Sequence, residues 1–226
     1  MASTVVGAVM VTHPRGGLVP ASVSGSGLSR EAALEHVRRV KSELKGRKGE
    51  ALVSEALARA GWPVLHDVVL RDSRGLTQVD HLVRLPGGIA VLETKAYAGT
   101  VMGGVRDRHW VQHLREGQVR TAFLNPLLQN HRHVRAVREV VGAGVAVDGL
   151  VVSAGSARFC GELEAAVVKL DDMAVRLCTM HSPAGSCSPA PPLDAAWRAL
   201  TTAAARSAEL GAAHEEQVRR WRGGGR

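Results

Sequence analysis

Aromatic and sulfur-bearing residues are scarce in this chain: two phenylalanines, one tyrosine, four tryptophans and three cysteines among 226 residues. Cys160, Cys178 and Cys187 are odd in number and contain no Cys-x-x-Cys pair, which excludes an even disulfide framework and suits idle thiols in a reducing cytoplasm. No apolar run approaches the ~20 residues that cross a bilayer. The apolar stretch from Thr4 to Thr12 is short and has no basic segment before it, so a signal peptide is not expected either. Acids are the scarcer charge, 21 Asp and Glu against 29 Lys and Arg, for a net charge of +8 and a pI near 10.2. That surplus favours polyanionic partners through counterion release.

A hydrophobic share of 45% is enough for one domain with a full core. Residues 1–28 are rich in Gly, Ser and Val without a period and read as a flexible leader. Residues 29–180 read as the domain, 181–193 as a Pro/Ser linker, and 194–226 as a C-terminal helix with a basic end, placed to pack on the domain or to meet a second copy or a protein partner. Within the domain, Ser29 caps a helical pattern that Gly46 and Gly49 interrupt, and a second helix follows to Ala60. Strands are expected from Pro63 to Arg71, on both sides of Pro86-Gly87-Gly88, at Gly99–Gly104, at His109–Leu114, at Ala146–Ser153 and at Ala165–Leu170. Asn125-Pro126 opens a helix to about Val141, and Asp171-Asp172 opens a short one to about Leu177.

The most informative stretch is Leu76–Lys95, two apolar runs about a Pro-Gly-Gly break. Alternation puts Gln78, Asp80 and Leu82 on one face of the first strand, and Ile89, Val91, Glu93 and Lys95 on one face of the second. Antiparallel pairing then sets Asp80 opposite Glu93 or Thr94, on strands roughly 4.8 Å apart. Two carboxylates that close, in apolar surroundings, need a proton or a cation between them, and a hard ion such as Mg2+ is the natural one. Lys95 follows on the same face as Glu93, where it could hold a water or a phosphate oxygen beside that ion, a geometry suited to phosphodiester cleavage.

The series Lys48-Gly49-Glu50, Gln78-Val79-Asp80-His81, Gly88-Ile89 leading into Glu93-Thr94-Lys95, then Trp110, Asn125-Pro126 and Gln129-Asn130 resembles the nuclease-related domain, NERD, of the PD-(D/E)xK nuclease superfamily. The likeness covers about Arg47 to Leu177, with Val79 where many members have proline. It implies an α/β, restriction-endonuclease-like core, ordered helix, three antiparallel strands, helix, strand, with a mixed central sheet flanked by helices. It also implies a metal-dependent nuclease, with DNA the expected substrate. Asp80, Glu93, the Thr94 carbonyl and Glu50 would hold Mg2+ or Mn2+, Lys95 would position water or stabilise charge, and Gln78 and Gln129 would orient substrate or water.

Other readings stand beside these. Glu50 also suits a helix N-terminus without any function. Lys45, Arg47 and Lys48 on the first helix, and Arg132 and Arg135 on the later one, are candidates for the nucleic-acid backbone or merely a solvated face. Trp110 is either core or a stacking platform. His109, His113, His131 and His133 could form a zinc site, although their spacing fits no common pattern. The Asp80, Glu93 and Lys95 group could be a structural ion-pair network, and the domain could bind nucleic acid without cutting it.

Overall fold

The computed structural model describes residues 10–12, 18–20, 29–180 and 191–223. It comprises two compact units, residues 1–41 and 42–226. In the first, β1 (Met10–Thr12) and β2 (Leu18–Pro20) pair antiparallel within the expected leader, whose remainder lies outside the described residues. Helix α1 (Arg30–Ala60) begins in this unit, and the Ser29 hydroxyl accepts the Ala32 amide at 3.2 Å, as a cap should.

In the second unit α1 is followed by β3 (Val64–Asp72), β4 (Gly75–Leu85), β5 (Gly88–Lys95), β6 (Thr100–Met102), β7 (His109–Leu114), β8 (Val119–Leu124), α2 (Pro126–Val141), β9 (Ala146–Ser153), β10 (Arg158–Phe159), α3 (Leu163–Ala166), β11 (Val167–Lys169), α4 (Met173–Thr179), α5 (Pro191–Ala205) and α6 (Ser207–Gly223). The main sheet has the order β11-β9-β5-β4-β3. Strands β3, β4 and β5 form an antiparallel meander, and α2 returns the chain so that β9 runs parallel to β5. This is the expected mixed α/β core. One face packs Val91, Ile89 and Leu82 against Val134 and Val137 of α2. The other packs Leu92, Ala90 and Val83 against Val53 and Leu57 of α1 and Met173 and Leu177 of α4.

A second mixed sheet, β10-β6-β7-β8, was only half legible in advance, since β8 and β10 carry no clear alternation. Trp110 of this sheet is fully buried, and its indole N–H donates to the Gly104 carbonyl at 2.9 Å, so it is core and not a stacking platform. Buried Asn125 caps α2 by accepting the Leu127 amide, and its side-chain N–H group donates to the carbonyls of Val105 and Asp107.

Three expectations need correction. Helix α1 does not break at Gly46 or Gly49; an interior glycine costs about 1 kcal/mol but leaves the hydrogen-bond ladder intact. At Gly49 a Cβ would stand 2.9 Å from the Ala96 Cβ and 3.4 Å from that of Ala154, so the missing side chain is what lets α1 approach β5. The C-terminal segment is two helices, turning at Arg206. There the Ser207 hydroxyl accepts the Val69 amide of β3 at 2.9 Å, a tertiary bond that local sequence does not announce. Leu193, Ala196 and Leu200 of α5 are buried in the main core. The expected linker falls largely on 181–190, outside the described residues, and α5 already begins at Pro191. Among the described residues no helix is long and apolar enough to cross a membrane.

Candidate functional site

The β4–β5 hairpin turns at Pro86-Gly87, with Leu85 paired to Gly88 and His81 paired to Leu92 as the last rung. One step further in the same register Asp80 faces Glu93. Here the ladder stops, and the Thr94 amide donates to Asp80 Oδ2 at 2.7 Å in place of a β4 carbonyl. A carboxyl thus sits where the two strands part.

Expected alternation fails at this point. Val79 and Leu82, of opposite parity, pack into the same core, as do Val68 and Leu65 on β3. The cause lies at Asp67, opposite Asp80, where a φ of 52° breaks the extended backbone. Gln78 therefore does not share a face with Leu82; its amide donates to Asp67 Oδ1 at 3.0 Å.

Four acids surround this break. Burial and then the Glu93 charge raise the pKa of Asp80 to about 7. Glu50 is half-buried where α1 approaches β5, and its pKa is raised by burial, by Asp80 and by Asp67, against the opposing pull of Lys95 and Arg47. Glu93 is almost fully buried, which raises its pKa, while Lys95 lowers it. The Lys95 ammonium contacts Glu93 Oε1. Burial works against the charge on Lys95, but Glu93, Tyr97 and Asp80 together overcome it and hold the amine protonated.

The other oxygen of Glu93, Oε2, is buried without a hydrogen bond and lies 3.4 Å from His133 Nδ1, which is also buried and unbonded. Burial, then Lys95 and Arg132, lower the His133 pKa to about 4. The imidazole is therefore neutral, and this contact is not an ion pair.

The remaining candidates are dispersed around this centre. Gln129 is half-buried on α2, one turn before His133. Lys45, Arg47, Lys48 and Arg135 are exposed. Arg132 is occupied: it donates to both carboxylate oxygens of Asp72 at 2.6 and 3.0 Å and to the Leu76 carbonyl, and it lies over the Trp221 ring. That bidentate grip makes it a structural cation. His109 and His113 belong to β7 of the second sheet, while His133 faces the first. Among the described residues no three His, Cys, Asp or Glu side chains are gathered closely enough for a finished metal cage.

Residues 45–154 match the family model described as "Nuclease-related domain". This segment of the chain is a nuclease-related domain. An uncharacterized protein of Bacillus anthracis is 34% identical over 101 residues, covering 43% of this chain and 47% of that protein. The chain thus spans about half the length of this relative. The nuclease-related domain holds every acid of the site together with Lys95, Gln129 and His133, and α4, α5 and α6 lie beyond it.

Two residues of this nuclease-related domain escaped the sequence reading, while His133 entered it only as a possible zinc ligand, although its i, i+4 spacing from Gln129 lets both face one point. Tyr97 had a signal, two residues past Lys95, and its pKa is raised by burial to about 12. Asp67 had none, because its role depends on a left-handed backbone at a strand centre.

Proposed function

We propose that the nuclease-related domain hydrolyses phosphodiester bonds of nucleic acid with the help of Mg2+ or Mn2+, DNA being the substrate to test first. One observation carries the reading: a buried acid, Glu93, and a half-buried one, Asp80, both with raised pKa values, stand on adjacent parting strands, an ammonium touches Glu93, and Glu93 keeps an oxygen without a hydrogen bond. An all-oxygen donor set from Asp80, Glu93, Glu50 and the Thr94 carbonyl suits a hard divalent ion better than a soft one. Bound there, the ion would polarise the phosphate and acidify a water.

The chain's own groups would do the rest. Asp80 and Glu93 supply the negative charge that holds the ion, and each keeps an oxygen beyond the one engaged by Thr94 or Lys95. Lys95, held protonated, opposes charge building on phosphorus or fixes the attacking water. Gln78 and Gln129 flank the centre and orient substrate or water. Lys45, Arg47, Lys48 and Arg135 are exposed and available to the phosphate backbone.

The test is cleavage of plasmid, linear duplex, single-stranded DNA and RNA with Mg2+, Mn2+ or EDTA, by the wild type and by Asp80→Ala, Glu93→Ala and Lys95→Ala. Metal-dependent cleavage lost in all three variants is the expected result. Undiminished cleavage by all three would refute the assignment. Binding in EDTA with no metal-stimulated product from the wild type would favour a non-catalytic binder.

A further inference from the structure

Strands β5, β9 and β11 are parallel, so their carboxyl ends open on one edge of the main sheet, the place where open α/β sheets take ligands. The register sets Lys95 beside Ser153 and Ser153 beside Lys169, a row across three strands with roughly 4.8 Å between neighbours. Beyond Ser153 lies a cavity of about 470 Å3 lined by Ser153, Arg158, Phe159, Glu164, Lys169 and Asp171, among others. Ser153 is 4% exposed, and its hydroxyl is buried with no hydrogen-bond partner. A buried donor left unbonded is destabilising, and an oxygen anion in the cavity would satisfy it.

We propose that this cavity is a second subsite, which holds a phosphodiester of the bound nucleic-acid strand next to the one being cut. Ser153 donates its hydroxyl to that group, and Arg158 and Lys169 are the cations of the lining that attract it. The inference takes its substrate class from the nuclease reading. Its position comes from the register, since the row starting at Lys95 leads into the cavity within one strand. The lining carries equal positive and negative charge, Arg158 and Lys169 against Glu164 and Asp171, which disfavours the dianion of a terminal phosphate more than the monoanion of a diester.

The experiment measures binding of a fluorescently labelled 12-nucleotide single-stranded DNA to the full chain in EDTA, by anisotropy. The variants are Ser153→Ala, Arg158→Glu and Lys169→Glu, with Arg198→Glu, an exposed position on α5, as a control for charge alone. Each reversal in the cavity should weaken binding about tenfold more than the control and flatten the salt dependence. Ser153→Ala should weaken binding about threefold, and Mn2+ affinity should be unchanged in every variant.

Three results would overturn the subsite: a wild type that does not bind the probe, Ser153→Ala binding as tightly as the wild type, or cavity reversals no worse than Arg198→Glu. Failure of the nuclease reading shows separately, as absence of metal-dependent cleavage by the wild type.

Discussion

His133 Nδ1 faces Glu93 Oε2 at 3.4 Å, and neither atom makes a hydrogen bond. The pair joins α2 to β5 at the deepest acid of the site. A buried carboxylate oxygen is costly unless something polar is near it, and the neutral imidazole dipole is that neighbour. Substituting His133→Leu removes it, and the metal-free protein should lose about 1–3 kcal/mol. His133→Asn keeps a polar atom within reach and should lose less. Urea denaturation of the three proteins in EDTA checks this, and equal stabilities would remove any role for the contact.

Asp80 yields a pH dependence with the sign opposite to that of a salt-bridged carboxylate. Its pKa rises from the ordinary 3.8 to about 7 in the folded protein, through burial and then Glu93. The folded state therefore binds the proton more tightly than the unfolded chain. Stability contributed by Asp80 is lost as pH climbs from about 4 to about 7, and the penalty is constant above that. Asp80→Asn keeps an acceptor for the Thr94 amide without the charge. In EDTA it should exceed the wild type by about 2–4 kcal/mol at pH 8, with the gap closing towards pH 4. Denaturation curves at several pH values read the gap, and a gap independent of pH would contradict the shift.

The hairpin that carries Asp80, Glu93 and Lys95 was legible because a Pro-Gly-Gly break fixes its register, and the observed His81–Leu92 rung agrees with it. Strand β9 was legible for a similar reason, as a short apolar run after a capped helix. Local pattern could not show that Asp67 adopts a positive φ, nor that alternation slips beside it. The occupation of Arg132 by Asp72 was hidden for the same reason, since sixty positions separate them and only the closed sheet brings them together. Net charge does not say which cations are free and which, like Arg132, are already held.

Gly49 and Gly46 make a matched pair on one helix. Alanine at either position should gain about 1 kcal/mol of helix propensity. At Gly46 nothing lies within 4 Å of the added Cβ, so Gly46→Ala should be stabilising by about 0.5–1 kcal/mol. At Gly49 the new carbon meets Ala96 at 2.9 Å and Ala154 at 3.4 Å. Overpacking costs about 1–3 kcal/mol, so Gly49→Ala should be neutral to destabilising by about 2 kcal/mol. It should also displace Glu50 from Asp80 and, if the proposed metal site is right, weaken Mg2+ binding, which calorimetry can measure beside the melting temperatures.

Gln217 of α6 stands in for a strand. Beyond the His81–Leu92 rung β5 no longer pairs with β4, and the Leu76 amide donates to Gln217 Oε1 at 2.9 Å while Gln217 Nε2 donates to the Leu76 carbonyl at 2.8 Å. The side-chain amide thereby satisfies both backbone groups, and Gly75 leaves it room, since a Cβ there would fall 2.3 Å from Oε1. Gln217→Ala leaves the amide of buried Leu76 without a partner and its carbonyl with Arg132 alone, and should cost about 1–3 kcal/mol. Gln217→Glu retains the acceptor but loses the donor, and the Leu76 carbonyl still receives Arg132, so its cost should be intermediate. Hydrogen exchange supplies the finer reading, because the Leu76 amide should lose protection in Gln217→Ala and keep it in Gln217→Glu. Loss in both variants would mean that α6 has lifted from the sheet altogether.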